Sequence, residues 1–245
     1  MRLATLALGL SALALSTVTH AAPTELVTNG SFEADASGGV QGLGGNGSTG
    51  ITGWTLNDTT IGGHTSYPLA WYYPAGTADN NNVTAQVYGP GNGVANGFGL
   101  SPDGGAMVAL DGAFTYQASL SQQLSGLTPG KQYTVKFFWS GGQQAGFGGT
   151  TTEQFAVSLG NQSKSTGVWN NPEKGFSGWF SEKYTFTAQT ANDVLSFLAV
   201  GTPDGQPPFS LIDGVSVTAS VPEAGTLALL GFGGLGLAAV ARRRK

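Results

Sequence analysis

The residues that could do covalent or metal chemistry are few in this chain of 245 residues. It has no cysteine, and only one of its two histidines, His64 in GGHTS, lies outside the N-terminal hydrophobic stretch. No nucleophile elbow and no metalloprotease spacing accompanies His64, so we expect a solvated loop histidine. Glycoside hydrolysis needs only two acids at the right separation, and Asp111 and Glu153 are available, although no spacing singles them out. The sequence therefore favours a protein that is not an enzyme and leaves a hydrolase or lyase as an alternative.

Aromatic residues in polar surroundings form a second kind of candidate site. The stretch AWYYP contains Trp71, Tyr72 and Tyr73, and VWNNP contains Trp169. Sugar rings stack their C–H faces on exposed aromatic rings, while amides and carboxylates bond the hydroxyl groups. Strand alternation must turn some of these rings inward, so a core position stays open as the alternative for each.

The net charge of the chain between its two terminal segments excludes some classes of binding partner. Between the two terminal segments the chain has five lysines, no arginine and thirteen acids, a formal charge of −8. Such a surface cannot neutralise phosphates, so nucleic-acid binding is not expected. Anionic lipid headgroups would repel the same surface.

Both ends of the chain carry membrane-type signals. Arg2, the apolar run LATLALGLSALAL and the small residues Thr19 and Ala21 predict a signal peptide over residues 1–21. Residues 224–241 carry no charge and would span roughly 27 Å as a helix, just before RRRK. The basic end predicts one transmembrane helix with its C-terminus in the cytoplasm, and a buried core helix is the alternative.

The body between these signals reads as all-β. Short β-branched and aromatic runs alternate with Gly, Asn and Pro, which predicts about ten strands in a single β-sandwich over residues 22–220, with jelly-roll topology preferred. In KQYTVKFFW the period of two places Tyr133, Val135, Phe137 and Trp139 on one face.

The C-terminal segment resembles the sorting signal of PEP-CTERM proteins. Pro222 and Glu223 match its motif, Ala224 replaces the usual second proline, and the apolar run ends in a basic cluster. The resemblance covers residues 221–245 and implies recognition by an exosortase-type membrane protease, with cleavage near Pro222–Glu223. It also implies transient anchoring in the inner membrane, followed by delivery to the cell surface or extracellular matrix. The basic residues of this sorting signal are Arg242, Arg243 and Arg244.

The body resembles galactose-binding-like jelly rolls and carbohydrate-binding modules through LVTNGSFE, the pair GW at residues 53–54, and LIDGVSVT. This resemblance implies a structural Ca²⁺ ion held by Glu33 and Asp213, with backbone carbonyls near residues 103–105 adding oxygens. Two carboxylates and further hard oxygens suit calcium. Gly214 stands where many relatives have a second aspartate, which removes one ligand.

These observations predict an exported surface or matrix protein that binds extracellular polysaccharide. The alternative is a structural matrix or adhesive protein without a discrete sugar site.

Overall fold

The structure is a computed structural model, and it describes residues 22–38, 41–45, 47–80 and 85–220. The predicted signal peptide and the predicted transmembrane helix lie outside the described residues. Within the described ranges, no helix is long and apolar enough to cross a bilayer.

Strands dominate these ranges, and the helical content is two short 3-10 helices, Glu33–Gly38 and Pro90–Asn92. In chain order the strands are β1 (Gln41–Gly44), β2 (Gly47–Ser48), β3 (Thr55–Asn57), β4 (Thr60–Ile61), β5 (His64–Thr65), β6 (Leu69–Tyr73), β7 (Met107–Asp111), β8 (Ser119–Gln123), β9 (Gln132–Gln143), β10 (Thr151–Leu159), β11 (Gln162–Ser165), β12 (Trp169–Asn171), β13 (Phe180–Thr187), β14 (Val194–Thr202) and β15 (Pro208–Ala219).

Two antiparallel sheets form a sandwich. One has the order β1-β6-β7-β15-β9-β13, and the other has the order β11-β10-β14-β8-β3-β2 with β12 paired to β10. The hairpin of β4 and β5 is a separate two-stranded sheet. The predicted all-β sandwich is therefore confirmed, while the jelly-roll connectivity stays a prediction. The count exceeds ten because several segments of two to four residues are too short to show a hydrophobic period.

The inner core lies between the two sheets. Tyr133, Val135, Phe137 and Trp139 are all buried there, as the alternation in β9 predicts. Facing them from the other sheet, Phe197 lies 5.1 Å from Phe137 between ring centroids, in an edge-to-face arrangement. Aromatic pairs in this geometry add to the stabilisation from burial alone.

A second hydrophobic cluster, here called the outer cluster, covers the opposite face of the first sheet. Side chains of β6, β7 and β15 point outward there, and residues from the segments 74–80 and 85–106 pack over them. The stretch VTAQVYG has the β-branched and aromatic residues typical of a strand, but in its described part Val87 makes only an isolated bridge, to Gln144. This segment serves as a cover for the sheet, so both faces of the sheet are buried.

The two ends of the described body meet at one end of β15. Glu25 forms a bridge with Thr218, and its carboxylate accepts hydrogen bonds from the Val217 amide at 2.8 Å and the Ser216 hydroxyl at 2.6 Å. The Ser220 amide donates to the Gln132 carbonyl at 2.9 Å. The opposite end of β15, at Pro208, is therefore the end of the sandwich farthest from both chain exits, roughly 35 Å away at 3.3 Å per residue.

Phe197→Ala tests the inner core. Phe197 is fully buried and contacts aromatic rings of both sheets, so its loss should lower the free energy of unfolding by about 3–5 kcal/mol. Urea denaturation of the purified protein measures the change. Phe147→Ala is the control, because Phe147 is 36% exposed and should lose less than about 1 kcal/mol. Equal losses would contradict the assignment of the core.

Candidate functional site

A groove beside the short strand β12 holds the partly exposed Trp169. The groove has a volume of about 270 Å³ and is lined by Trp139, Gly167, Val168, Trp169, Phe180 and Glu182. It lies where β13, the edge of one sheet, approaches β12 of the other. The Trp169 ring is 6.0 Å from the Phe180 ring, which holds the indole at a fixed tilt. We call this feature the β12 groove; it is an aromatic surface open to solvent.

A polar hollow adjoins the β12 groove along the chain. It has a volume of about 560 Å³ and is lined by Thr150, Thr151, Thr152, Asn170, Asn171, Pro172, Thr202 and Pro203. The Thr152 and Thr202 hydroxyls are 2.7 Å apart, and Asn170 is exposed. This threonine hollow offers hydroxyl and amide groups without a lysine or arginine in its lining. An apolar ring next to uncharged donors and acceptors is the combination that binds sugars.

Glu153 lies beneath the groove and the hollow, with none of its surface exposed. It faces the sandwich interior on β10, opposite Trp169 in the register. The Thr151 hydroxyl donates to its Oε1 at 2.5 Å, and no hydrogen bond to its Oε2 is formed by the described residues. Burial raises the pKa of Glu153 to about 8, although the Thr151 hydroxyl and the nearby Asn171 amide oppose that rise. Burial therefore favours the protonated form of Glu153 near neutral pH.

The aromatic residues predicted from AWYYP divide between the two faces of β6. Tyr72 is fully buried and its hydroxyl donates to the Phe32 carbonyl at 3.0 Å. Tyr73 is fully buried in the outer cluster and donates to the Ala85 carbonyl. Neither ring can stack on a ligand, which corrects the sequence prediction for both. Trp71 is partly buried, 5.0 Å from the Phe209 ring, on the outer face of the first sheet. Trp169 alone among the four lines the β12 groove.

Glu33 and Asp213, the ligand pair implied by the resemblance to carbohydrate-binding modules, lie near enough for the charge of Glu33 to act on the Asp213 carboxyl. Asp213 has no exposed surface, and its Oδ1 accepts a hydrogen bond from the Gly214 amide at 2.7 Å. Burial raises the pKa of Asp213 to about 7; the Ser101 hydroxyl and the Gly214 amide oppose the rise, and the charges of Asp103 and Glu33 add to it. Its Oδ2 has no hydrogen-bond partner within the described part of the chain.

Glycines occupy backbone positions next to these carboxylates, where a Cβ would collide with neighbouring atoms. A Cβ on Gly105, whose φ is +75°, would lie 1.5 Å from Glu33 Oε1. Gly214 has φ +59°, and a Cβ there would lie 2.8 Å from the Phe138 ring, so an aspartate would be strained at this position. No group of three or more His, Asp or Glu side chains that could hold a metal ion is found among the described residues. A calcium ion here would depend on two carboxylates and on backbone or solvent oxygens, and the unpartnered Asp213 oxygen fits such a cation.

Sequence reasoning missed several exposed aromatic side chains near the Pro208 end of β15. Tyr67 is 57% exposed, Phe114 44% and Tyr116 38%. Their sequence neighbours, in TSYP and GAFTYQ, show no strand period that would have separated them from core residues. His64 is exposed, as expected, but its ring stacks on Phe114 at 4.6 Å.

The C-terminal residues match a known sorting signal. Residues 220–245 match the family model described as the PEP-CTERM protein-sorting motif, which confirms the resemblance seen in the sequence and indicates an exported protein. The residues implied in processing, Pro222, Glu223, Arg242, Arg243 and Arg244, lie outside the described residues. No curated protein matches the chain.

Several solved structures are similar in fold. The enzymatically active domain of tailspike protein 4 from bacteriophage CBA120 is 13% identical, with a TM-score of 0.40 over 80% of this chain and 21% of the tailspike chain. TmCBM61, solved with β-1,4-galactotriose, is 13% identical with a TM-score of 0.36 over 80% of this chain and 99% of its own. The CBM22-1 xylan-binding domain of Xyn10C from Paenibacillus barcinonensis is 9% identical with a TM-score of 0.33, over 60% and 85%.

Glu153→Gln tests the buried carboxyl group through the pH dependence of stability. The folded-state pKa of about 8 lies above the ordinary value of 4.5, so the stability that the protonated carboxyl contributes is fully present below pH 4.5 and is lost as pH rises to 8. Between pH 5 and pH 8 we expect the variant to lose less free energy of unfolding than the wild type, by on the order of a few kcal/mol. Urea denaturation across this range measures the difference. The exposed Glu173→Gln should follow the wild type, and parallel curves for all three proteins would contradict the burial of Glu153.

Proposed function

We propose that this protein is an exported, non-catalytic polysaccharide-binding protein of the cell surface or extracellular matrix. The observation that carries the proposal is the partly exposed Trp169, placed between the β12 groove and the threonine hollow. In the strand register Trp169 pairs with the inward-facing Glu153, whereas Asn170 and Thr202 both pair with the outward-facing Thr152. A sugar stacked on the indole would therefore reach the hydroxyl and amide groups of the hollow by passing over the end of β12.

The charges around this surface favour an uncharged polysaccharide. Among the described lining residues of the groove and hollow, Glu182 is the one ionisable side chain, and the body as a whole carries a formal charge of −8. A polyuronate would be repelled by this field, while a neutral polymer would lose nothing. Neutral polymers such as xylan and β-1,4-galactan are therefore the first probes.

The same lining argues against glycoside hydrolysis. That reaction requires two carboxyl groups flanking the scissile bond, roughly 5–10 Å apart. Glu153 is enclosed beneath the site and Asp111 is also buried, so neither faces a sugar in the groove. With the half-buried Glu182 as the one carboxylate in the described lining, the surface supports binding without cleavage.

The two terminal segments support a route by which the protein reaches the cell surface or matrix. The sorting motif at residues 220–245 supports processing by an exosortase-type membrane protease. We infer that the signal peptide starts export, that the apolar segment anchors the protein transiently in the inner membrane, and that cleavage near Pro222–Glu223 releases the body to the surface or matrix.

Trp169→Ala tests the proposed sugar site. In affinity gels containing xylan or β-1,4-galactan, the purified wild-type protein should be retarded, and the variant should lose about tenfold or more in affinity because aromatic contacts dominate such sites. Alginate, a polyuronate, should retard neither.

Trp71→Ala is the matched control for this experiment. It removes another partly buried tryptophan, on the outer face of the other sheet, so it should cost similar stability and leave retardation unchanged. Loss of retardation in Trp71→Ala but not Trp169→Ala would move the site to Trp71. A folded wild-type protein that no polysaccharide retards would favour the structural or adhesive alternative.

We also propose that Glu33 and Asp213 hold a structural Ca²⁺ ion. The pair of carboxylates, the unpartnered Asp213 Oδ2 and the tight turn at Gly105 support this assignment. Two carboxylates would neutralise the ion, and the ion would remove the cost of burying Asp213 in its charged form.

Thermal unfolding in calcium and in a chelator tests the calcium proposal. At pH 8 and calcium about a hundredfold above its Kd, we expect Tm to rise by roughly 5–10 °C over the chelated protein. The rise should be smaller at pH 6, because the metal must displace a proton from a carboxyl whose pKa is about 7. Asp213→Asn keeps the acceptor for the Gly214 amide and should abolish the calcium shift. An unchanged wild-type Tm at pH 8 would contradict the proposal.

A further inference from the structure

Exposed apolar side chains of the described residues concentrate near the Pro208 end of β15. Eight large hydrophobic side chains are well exposed, and four of them belong to one group of loops, while a fifth, Val168, lines the β12 groove. Exposed apolar area of this kind marks interaction surfaces in soluble proteins. We call the group the distal patch; it consists of Ile61, His64, Tyr67, Phe114 and Tyr116.

Backbone hydrogen bonds hold the segments of the distal patch side by side. The Tyr67 amide donates to the Thr115 carbonyl at 2.9 Å, and the Leu69 amide donates to the Tyr116 carbonyl at 3.1 Å. The His64 ring is stacked on Phe114 with 25° between the planes. The aromatic rings are thus displayed on a fixed backbone rather than on a free loop.

Asp204 joins the distal patch to the threonine hollow. Its carboxylate accepts hydrogen bonds from the Thr115 amide at 3.0 Å and the Thr115 hydroxyl at 2.6 Å. The preceding residues, Thr202 and Pro203, line the hollow. The hydrogen bonds from Thr115 hold the pKa of Asp204 below its usual value, so this exposed carboxylate is charged and can accept sugar hydroxyls.

From this arrangement we propose that the distal patch is a second aromatic platform of the same binding surface, so that the ligand is an internal stretch of a neutral polysaccharide spanning from Trp169 across the threonine hollow to Phe114 and Tyr116. The inference rests on the proposed function and specifies its ligand as a chain rather than a single sugar or a chain end.

Two features favour a polymer over a second copy of this protein as the occupant. The aromatic rings are interleaved with exposed threonines, and the Thr60 and Thr65 hydroxyls lie 3.0 Å apart on the β4–β5 hairpin, which suits hydroxyl-rich ligands. The body also carries a formal charge of −8, so two copies repel each other.

The position of the proposed binding surface on the molecule is compatible with a polymer ligand. The body's chain exits lie at Glu25 and Ser220, and the sorting motif starts at the latter. Both aromatic platforms and the hollow lie toward the other end of β15. A long polymer can therefore lie across this end without meeting the segment that anchors the protein.

A double variant, Phe114→Ala with Tyr116→Ala, tests the proposal by its dependence on ligand length. Both rings are substantially exposed, so the variant should fold with nearly the wild-type Tm. Short and long oligosaccharides are prepared from whichever of xylan and β-1,4-galactan retards the wild type. Isothermal titration of the wild type should show that the long ones bind more tightly than the short ones by about tenfold or more. The double variant should bind short oligosaccharides with wild-type affinity and should bind long ones no more tightly than short ones. Leu100→Ala changes an exposed residue outside this surface and should keep the wild-type preference for long oligosaccharides.

The other outcomes separate this inference from the proposed function. If the wild type binds but the double variant retains the full gain with length, the distal patch is not a platform and the site at Trp169 stands alone. If sedimentation shows a wild-type dimer that the double variant dissociates, with saccharide binding unchanged, the patch is a contact between copies and the inference is wrong. If no polysaccharide is bound by the wild type, both proposals fail together.

Discussion

The pairing of β15 with both of its neighbours is the interaction on which the rest of the structure depends. This strand of twelve residues lies between β7 and β9, and its inner side chains join the core. Near its middle the register shifts between Asp213 and Ser216, which turns the backbone at Gly214 and leaves the Asp213 carboxylate enclosed. Its C-terminal end holds Glu25, while its Pro208 end supports the loops that carry the candidate binding surface. Loss of this strand would therefore separate the site from the core.

Without cysteine the sandwich must be stabilised by packing, yet in the described part of the chain Asp111, Glu153 and Asp213 are each at most 1% exposed. Burial raises the pKa of Asp111 and Asp213 to about 7 and that of Glu153 to about 8. Each group opposes folding once it is charged, and apolar residues of similar size would usually stabilise such positions better. Two of the three lie at the proposed sites: Asp213 at the proposed calcium position, and Glu153 opposite Trp169 on the neighbouring strand. These buried carboxyl groups lower the free energy of unfolding at the positions of the proposed sites.

The inner core could be predicted from the sequence because strand alternation is a local signal. Phe155, Val157 and Leu159 are fully buried on β10 as their spacing indicates. Alternation could not identify Tyr73 as buried, because the irregular segments 74–80 and 85–106 cover its face of the sheet and irregular coverage has no period. Trp169 lies on a strand of three residues, too short for a pattern, and its placement beside the threonine hollow depends on pairing with β10. Contact between Asp204 and Thr115 arises only in the folded chain.

The sorting motif begins at the last described residue of the fold. The matched motif begins at Ser220, whose amide donates a hydrogen bond to the carbonyl of Gln132 at the start of β9. The chain therefore enters the sorting motif at the end of β15 opposite Pro208. In the proposed anchored state, the candidate binding surface toward Pro208 lies at the opposite end of β15 from this entry point. Its aromatic rings and threonines are positioned by sheet pairing, so the proposed release would leave the surface unchanged.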